Sequence, residues 1–324
     1  MKTTEIIYDI LSQHSSGISG EAIAKQLNIS RTSVWKAIKS LESQGLVIES
    51  SKQNGYRLLE GDLLIPEIIE KALQIQVSYN EKSISTQKDA KENILTNPKT
   101  PQLYLAPKQE MAKGRMNRPF FTSENGGIYM SLHLKPNVHY SDLEPFTMMA
   151  ASSITKAISR LTGIDTQIKW VNDIYLGQKK IAGIITEAIT SVETGLITDV
   201  IIGIGLNFFI KDFPDDLNSK AGSLFSVQPT VTRNQLIIEI WKLFTEIPVK
   251  DHIKVYKDKS LVLNRQVTFM ENDTLISGKA IAITDEGHLV IRLESGQEKI
   301  LRSGEISLSS WQLAQLSRVI SKTC

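Results

Sequence analysis

The sequence predicts an α+β chain in three units: an N-terminal winged helix-turn-helix, a central mixed α/β domain and a small C-terminal antiparallel barrel. Three observations carry this. Residues 1–60 hold three short helical patterns followed by an alternating segment around Asn54-Gly55. Strand-like apolar runs then surround one long helical stretch. Closely spaced short strands with Gly or Asn at their bends finish the fold. The boundaries are placed at 1–62, 63–258 and 259–310, leaving 311–324 as a tail. With 324 residues and 41% hydrophobic side chains, the chain can build more than one core.

The first helical pattern runs from about Thr4 to His14. Ser19 caps a second, with Ile23, Ala24 and Leu27 inward, and Ser30 caps a third, with Val34, Ala37, Ile38 and Leu41 inward. Asn28-Ile29 is the tight turn between them. The third helix then presents Arg31, Thr32, Ser33, Lys36 and Lys39, the cations and hydroxyls that phosphates and base edges require. Ser19 to Ile38 is therefore the candidate DNA-binding helix-turn-helix, with a protein-docking winged helix as the other reading. Seven Lys or Arg against six Asp or Glu in residues 1–60 make any attraction local.

Pro66 opens a helix in IPEIIEKAL. The runs LYLAP, GIYMSLHL, IKWVNDIYL, KIAGIITEAI and DVIIGIGLNFF read as strands, and Pro145 to Leu161 and 233–247 as helices. In 261–308, RQVTFME, ISGKAIAIT, HLVIRLE and EKILR are short strands bent at Asn272-Asp273, Glu286-Gly287 and Ser295-Gly296. The tail SSWQLAQLSRVISKTC reads as one amphipathic helix.

Composition narrows the chemistry. A net charge of +2 excludes a strongly basic, polyanion-coating molecule. The sole cysteine is Cys324, which excludes an intramolecular disulfide and argues against a thiolate metal cluster or a Cys nucleophile. That suits a reducing compartment. The N-terminus lacks a signal-like apolar region, and the longest apolar run, Val200 to Ile210, is broken by Gly203, Gly205 and Asn207; the expectation is a cytoplasmic protein without membrane contact. The five histidines show no metal-ligand spacing, and neither a phosphate-binding P-loop nor a nucleophile elbow is present.

Residues Lys169 to Glu187, KWVNDIYLGQKKIAGIITE, are the most informative stretch. A two-residue turn at Gly177-Gln178 would pair Leu176 with Lys179, Tyr175 with Lys180 and Asp173 with Ala182. Asp173, Tyr175, Lys180 and Ala182 then share one face, with diagonal Cβ atoms roughly 7–8 Å apart. An ammonium and a carboxylate so placed suit a small anion or a magnesium-bound phosphate; an ordinary surface ion pair is the alternative. Between two strands, PKQEMAKGRMNRPFF sets Gly114 among Lys113, Arg115 and Arg118, as a loop folding over an anion would. Ser85-Thr86-Gln87 precede a helical run, to cap it or to bond a polar ligand. Gly203 and Gly205 permit close approach of a ligand or another backbone.

Together these pieces resemble the bifunctional biotin protein ligases that are also biotin operon repressors, over about residues 1–308. The stretch 169–187 follows the family pattern K-W-[PV]-N-D-[IL]-Y and K-[IL]-x-G-[IL]-L-x-E, and Gly304 to Leu308, GEISL, matches the final motif of an SH3-like barrel. The resemblance implies that Lys180, Asp173 and Arg115 are catalytic. It assigns biotin to Ser85, Thr86, Gln87, Gln109, Lys113, Gly114, Arg115, Lys180 and Gly183. It assigns ATP and the adenylate to Arg118, Lys169, Asn172, Asp173 and Asn207, with magnesium entering with ATP and Asp173 as its candidate ligand. Biotin and ATP would give biotinyl-5′-AMP, and a lysine of the biotin carboxyl carrier domain of acetyl-CoA or pyruvate carboxylase would take the acyl group. The adenylate-bound form would be a homodimer on a palindromic operator. Three positions depart from the family: Ala112 replaces Gly, Lys113 replaces Arg, and Ser309 follows GEISL where Arg is usual. Lys113 loses the planar fork, and Ala112 forfeits easy positive φ. These departures leave open a biotin-sensing regulator that no longer catalyses; a lipoyl-type ligase is a further alternative.

Overall fold

The computed structural model describes residues 1–124 and 126–308. Ser309 and the predicted tail helix at 311–324 lie outside the described residues. The first unit comprises α1 (Thr3–Gln13), α2 (Gly20–Leu27), α3 (Arg31–Ser43), β1 (Val47–Ser51) and β2 (Gly55–Glu60). Both expected caps form: Ser19 Oγ accepts from the Ala22 amide at 3.1 Å and Ser30 Oγ from the Ser33 amide at 3.0 Å. Asn28 takes the left-handed conformation that stops α2. Ile7, Leu11, Ile23, Val34, Ile38 and Leu41 close a separate core beneath the hairpin.

The winged unit is latched to the rest by its connector. Asp62 receives the Arg233 backbone amide and Nε, each at 2.5 Å, while Arg233 Nη2 donates to the Asp62 carbonyl at 2.8 Å. Asn234 brackets the next turn, accepting from the Ile65 amide and donating to the Leu63 carbonyl. Then come α4 (Pro66–Leu73), β3 (Gln76–Tyr79), α5 (Thr86–Ile94), β4 (Gln102–Ala106), β5 (Gly127–Leu134) and α6 (Phe146–Thr162). They are followed by β6 (Gln167–Lys169), β7 (Asp173–Leu176), β8 (Lys179–Thr190), β9 (Ile197–Asn207), α7 (Arg233–Glu246) and α8 (Val249–Asp258).

The central seven-stranded sheet has the order β3-β4-β5-β9-β8-β7-β6, with β3 and β4 parallel and the other pairs antiparallel. Alternation splits its faces. Ile128, Met130 and Leu132 of β5 and Ile202, Ile204 and Leu206 of β9 join the core under α6, α7 and α8. Ser131, Gly203 and Gly205 face the other way, where α5 packs Ala90 on Tyr104 and Ile201. That face carries the site.

The predicted strand IKWVNDIYL is divided here into β6 and β7 by a turn at Trp170–Asn172, which includes a cis Trp170-Val171 bond. The expected hairpin register also changes. Leu176↔Lys179 and Tyr175↔Lys180 pair as expected, but a bulge follows, so Ile174 meets Ala182 and Asp173 meets Gly183. Ile181 and Ala182 are both buried, 1% and 0% exposed, which strict alternation would forbid. Lys180 compensates by bonding a neighbouring segment: its amide donates to the Lys220 carbonyl and its carbonyl accepts from Gly222. Ala182 thus turns to the core, and Gly183 takes its place opposite Asp173.

The last unit is a five-stranded antiparallel sheet, β13-β12-β11-β10-β14. Its strands are β10 (Gln266–Glu271), β11 (Thr274–Ile283), β12 (Leu289–Leu293), β13 (Glu298–Leu301) and β14 (Ser307–Leu308). Asn272 and Asp273 both carry positive φ, as a tight hairpin turn requires. Val267, Phe269, Leu289, Ile291 and Ile306 merge into the core of the central domain. Trp170 Nε1 donates to the Gly287 carbonyl at 2.8 Å, tying the two together. No described helix is long and apolar enough to cross a membrane.

Candidate active site

A cavity of about 220 Å³ opens on the α5 face of the sheet. Its floor is polar by construction. The Gln109 Oε1 accepts from the Thr86 amide at 2.6 Å, Thr86 Oγ1 lies 2.9 Å from Ser131 Oγ, and Ser131 Oγ donates to Gln87 Oε1 at 3.0 Å. Gln87 Nε2 then reaches the Ile201 carbonyl. Ser85 stands at the N-terminus of α5 without capping it; the cap expected of this segment is replaced by Gln109, which takes the Thr86 amide. The glycines of β9 make room for side chains: a Cβ on Gly203 would sit 2.6 Å from Gln87 Oε1, and one on Gly205 2.6 Å from the Phe120 ring.

One wall carries the charge. Lys180 Nζ lies 2.6 Å from Asp173 Oδ1, both side chains partly exposed to the cavity. A Cβ on Gly183 would meet Lys180 Nζ at 3.1 Å, so the bare backbone leaves the ammonium its position. Lys169 Nζ stands 5.9 Å from the Tyr175 ring centre. Burial pulls the Lys169 pKa below its ordinary value, with Asp173 opposing. Asn172 holds the turn in shape, donating from Nδ2 to the Ile184 carbonyl at 2.7 Å.

The loop 112–120 closes the opposite wall as a small hairpin, with Lys113 bridging Pro119 and the Gly114 amide donating to Arg118 at 2.8 Å. The left-handed positions fall on Met116 and Asn117. Ala112 is outside that region, so the feared conformational penalty does not arise. Arg115 Nη1 donates to the Gly304 carbonyl at 3.1 Å. Arg118 forks onto Glu305 at 2.6 and 2.5 Å and thereby holds the Glu305 carboxyl below the usual carboxylate range. Both guanidiniums line the cavity while binding the C-terminal unit.

Ser85, Thr86, Gln87 and Gln109 therefore share one cavity with Lys113, Gly114, Arg115 and Arg118, and with Lys169, Asn172, Asp173, Lys180 and Gly183. Asn207 does not join them: it is buried beyond the lining, its Nδ2 on the Gly222 carbonyl at 2.9 Å. Sequence reading missed Ser131, Phe120, Trp170 and Glu305. Ser131 left a physical signal, a hydroxyl inside the apolar run GIYMSLHL that burial would force to find partners, and Trp170 and Glu305 lie inside the motifs KWVND and GEISL without having been given a role. Among the described residues, no group of three His, Cys, Asp or Glu is placed to hold a metal. Asp173 is the one carboxylate beside Lys180 on the charged wall, too few oxygen ligands to hold a metal ion by itself.

Arg31, Thr32, Ser33, Lys36 and Lys39 are all exposed on α3, as expected. The fold and site define a biotin- or lipoate-type protein ligase domain joined to a helix-turn-helix. The family models agree: an HTH domain at residues 4–57, the Biotin/lipoate A/B protein ligase family at 81–207, and the Biotin protein ligase C terminal domain at 262–309. The bifunctional ligase/repressor BirA of Bacillus spizizenii is 33% identical over 93% of this chain and 97% of its own length. That of Bacillus subtilis is 33% identical over 90% and 94%. The biotin protein ligase of Aquifex aeolicus, solved with biotin and ATP, is 26% identical with a TM-score of 0.61, covering 72% of this chain and 98% of that one. The chain belongs to the bifunctional biotin ligase/repressor (BirA) family.

Proposed function

We propose that this chain makes biotinyl-5′-AMP from biotin and ATP, transfers the biotinyl group to a lysine of a carboxylase carrier domain, and represses biotin genes as an adenylate-bound homodimer on a palindromic operator. The single observation that carries the ligase reading is the joining, in one cavity, of the Ser85–Gln109 polar floor to the Lys180–Asp173 pair. The floor offers alternating donors and acceptors to a ureido ring. The charged wall meets the carboxylate and the α-phosphate.

In the first step a biotin carboxylate oxygen attacks the α-phosphorus and pyrophosphate leaves; in the second an amine attacks the acyl carbon and AMP leaves. No protein nucleophile is required. Two anions must approach, and Lys180, Lys169 and Arg115 would offset their repulsion. Magnesium held by ATP, with Asp173 beside it, would add charge on the phosphate side. The assigned roles of the biotin set and of Arg118, Lys169, Asn172 and Asp173 rest on this arrangement, while Asn207 would act only by supporting the strand end. The same reading gives residues 1–62 to DNA, 63–258 to ligation and 259–310 to closing the loop through Glu305. Incubation with labelled biotin, ATP and a biotin carrier domain tests it. Label transferred to the carrier is the expected result; adenylate without transfer would leave only a sensor, and neither product would reject ligation.

A further inference from the structure

We propose that Trp35 is a base-reading side chain of α3, its indole ring packing on a thymine methyl group in the major groove of duplex DNA. The inference rests on the DNA-binding reading above and goes beyond it, since that reading names only cations and hydroxyls. Trp35 is 51% exposed, although Val34, Ala37, Ile38 and Leu41 of the same helix are buried. Among the described residues, no other large apolar side chain of α1, α2 or α3 is as exposed. Covering the exposed half of the indole with an apolar group would be favourable.

Helical spacing places Trp35 beside Arg31 and Thr32, four and three residues before it, and beside Lys39, four after it. All three are exposed while Ile38, three residues after it, is buried, so the ring stands on the flank of the polar face, between these groups and the core. Lysines around an aromatic ring are depleted in protein interfaces and suit flanking phosphates instead. Chemistry then selects the base. An indole offers an apolar ring and one N–H donor. Guanine presents two acceptors and adenine an acceptor with a donor, pairs matched by guanidinium and carboxamide groups; the thymine C5-methyl is the apolar group of the groove.

The test is selection from a random duplex pool by the full-length chain with biotin and ATP, repeated with Trp35→Ala and Trp35→Phe. The wild type is expected to enrich a motif with an invariant thymine that Trp35→Ala no longer selects and Trp35→Phe selects partly. Replacing that thymidine with 2′-deoxyuridine, which removes only the methyl group, should weaken wild-type binding about five- to tenfold and leave Trp35→Ala binding unchanged. An unchanged Tm for Trp35→Ala would show that the fold is intact. Identical motifs for wild type and Trp35→Ala, or a wild type indifferent to the methyl, would overturn the role of Trp35 alone. Absence of any enriched motif with the wild type would overturn the DNA-binding reading and this inference together.

Discussion

At the scale of residues, Lys180 concentrates the chemistry. Its ammonium is set by the bulge at Ile181, by the bare backbone at Gly183 and by the Asp173 carboxylate 2.6 Å away. Lys180→Ala or Arg115→Ala is expected to slow biotin-dependent pyrophosphate exchange by tenfold or more, about 1.4 kcal/mol of transition-state stabilisation; wild-type exchange rates would refute this. A second residue-scale effect concerns His252, fully buried against Phe244, where burial lowers its pKa and the Phe244 carbonyl only partly opposes. Because the folded value lies below the unfolded one, the unfolded chain binds the proton first. The stability from the neutral imidazole is therefore complete above the unfolded pKa, about 6.5, and falls away as pH drops below it. Unfolding free energies from urea titrations between pH 7.5 and 5 should decline in wild type, by at most about 1.4 kcal/mol per pH unit from this group. In His252→Phe the decline should be shallower; an equal slope would exclude His252 as its source.

At the scale of elements, the ligand floor depends on β5, β9 and α5 meeting at small residues. Gly203→Ala places a methyl 2.6 Å from Gln87 Oε1 and 2.8 Å from Ile185 Cγ2. Gln87 is the flexible partner, so it should swing away and lose its 3.0 Å bond from Ser131. One such hydrogen bond is worth about 1 kcal/mol, so the biotin Kd is expected to rise roughly fivefold. Calorimetric titration measures this, and an unchanged Kd would show that the Gln87–Ser131 link does not shape the biotin site. The loop 112–120 illustrates the complementary case. Its cations were readable from residue type, yet their present partners, Gly304 and Glu305, come from a unit almost two hundred residues away along the chain.

At the scale of the whole molecule, a buried ion pair anchors the connector of the winged unit to the ligase domain. Arg233 is 3% exposed and gives Asp62 its Nε and backbone amide, while Nη1 reaches the Gly127 carbonyl at the start of β5. Removing one partner strands a buried charge, which costs about 3–5 kcal/mol. Asp62→Ala is therefore expected to lower the denaturant midpoint sharply and to expose the connector at 61–65 to limited proteolysis. Replacing both partners by apolar residues should recover much of the loss; equal proteolysis of wild type and Asp62→Ala would show that the latch does not hold the connector.

What the sequence determined by itself was local. The caps at Ser19 and Ser30, the amphipathic face of α3, the alternation of β5 and β9, and the motif around Asp173 and Lys180 all follow from nearest-neighbour rules of backbone and side chain. These rules made the three units legible, while the site assignments came from the family resemblance of the motifs and reached about half of the residues that line the cavity. Tertiary structure decided what those rules cannot reach. Whether Ile181 and Ala182 could both be buried depended on the core beneath them, which turned the expected pairing of Asp173 from Ala182 to Gly183. Asn207 carried a suitable amide, but the Gly222 carbonyl took it out of the cavity. Glu305 and Ser131 entered because distant segments met there, and such meetings are fixed by packing across the whole chain, not by the residues on either side.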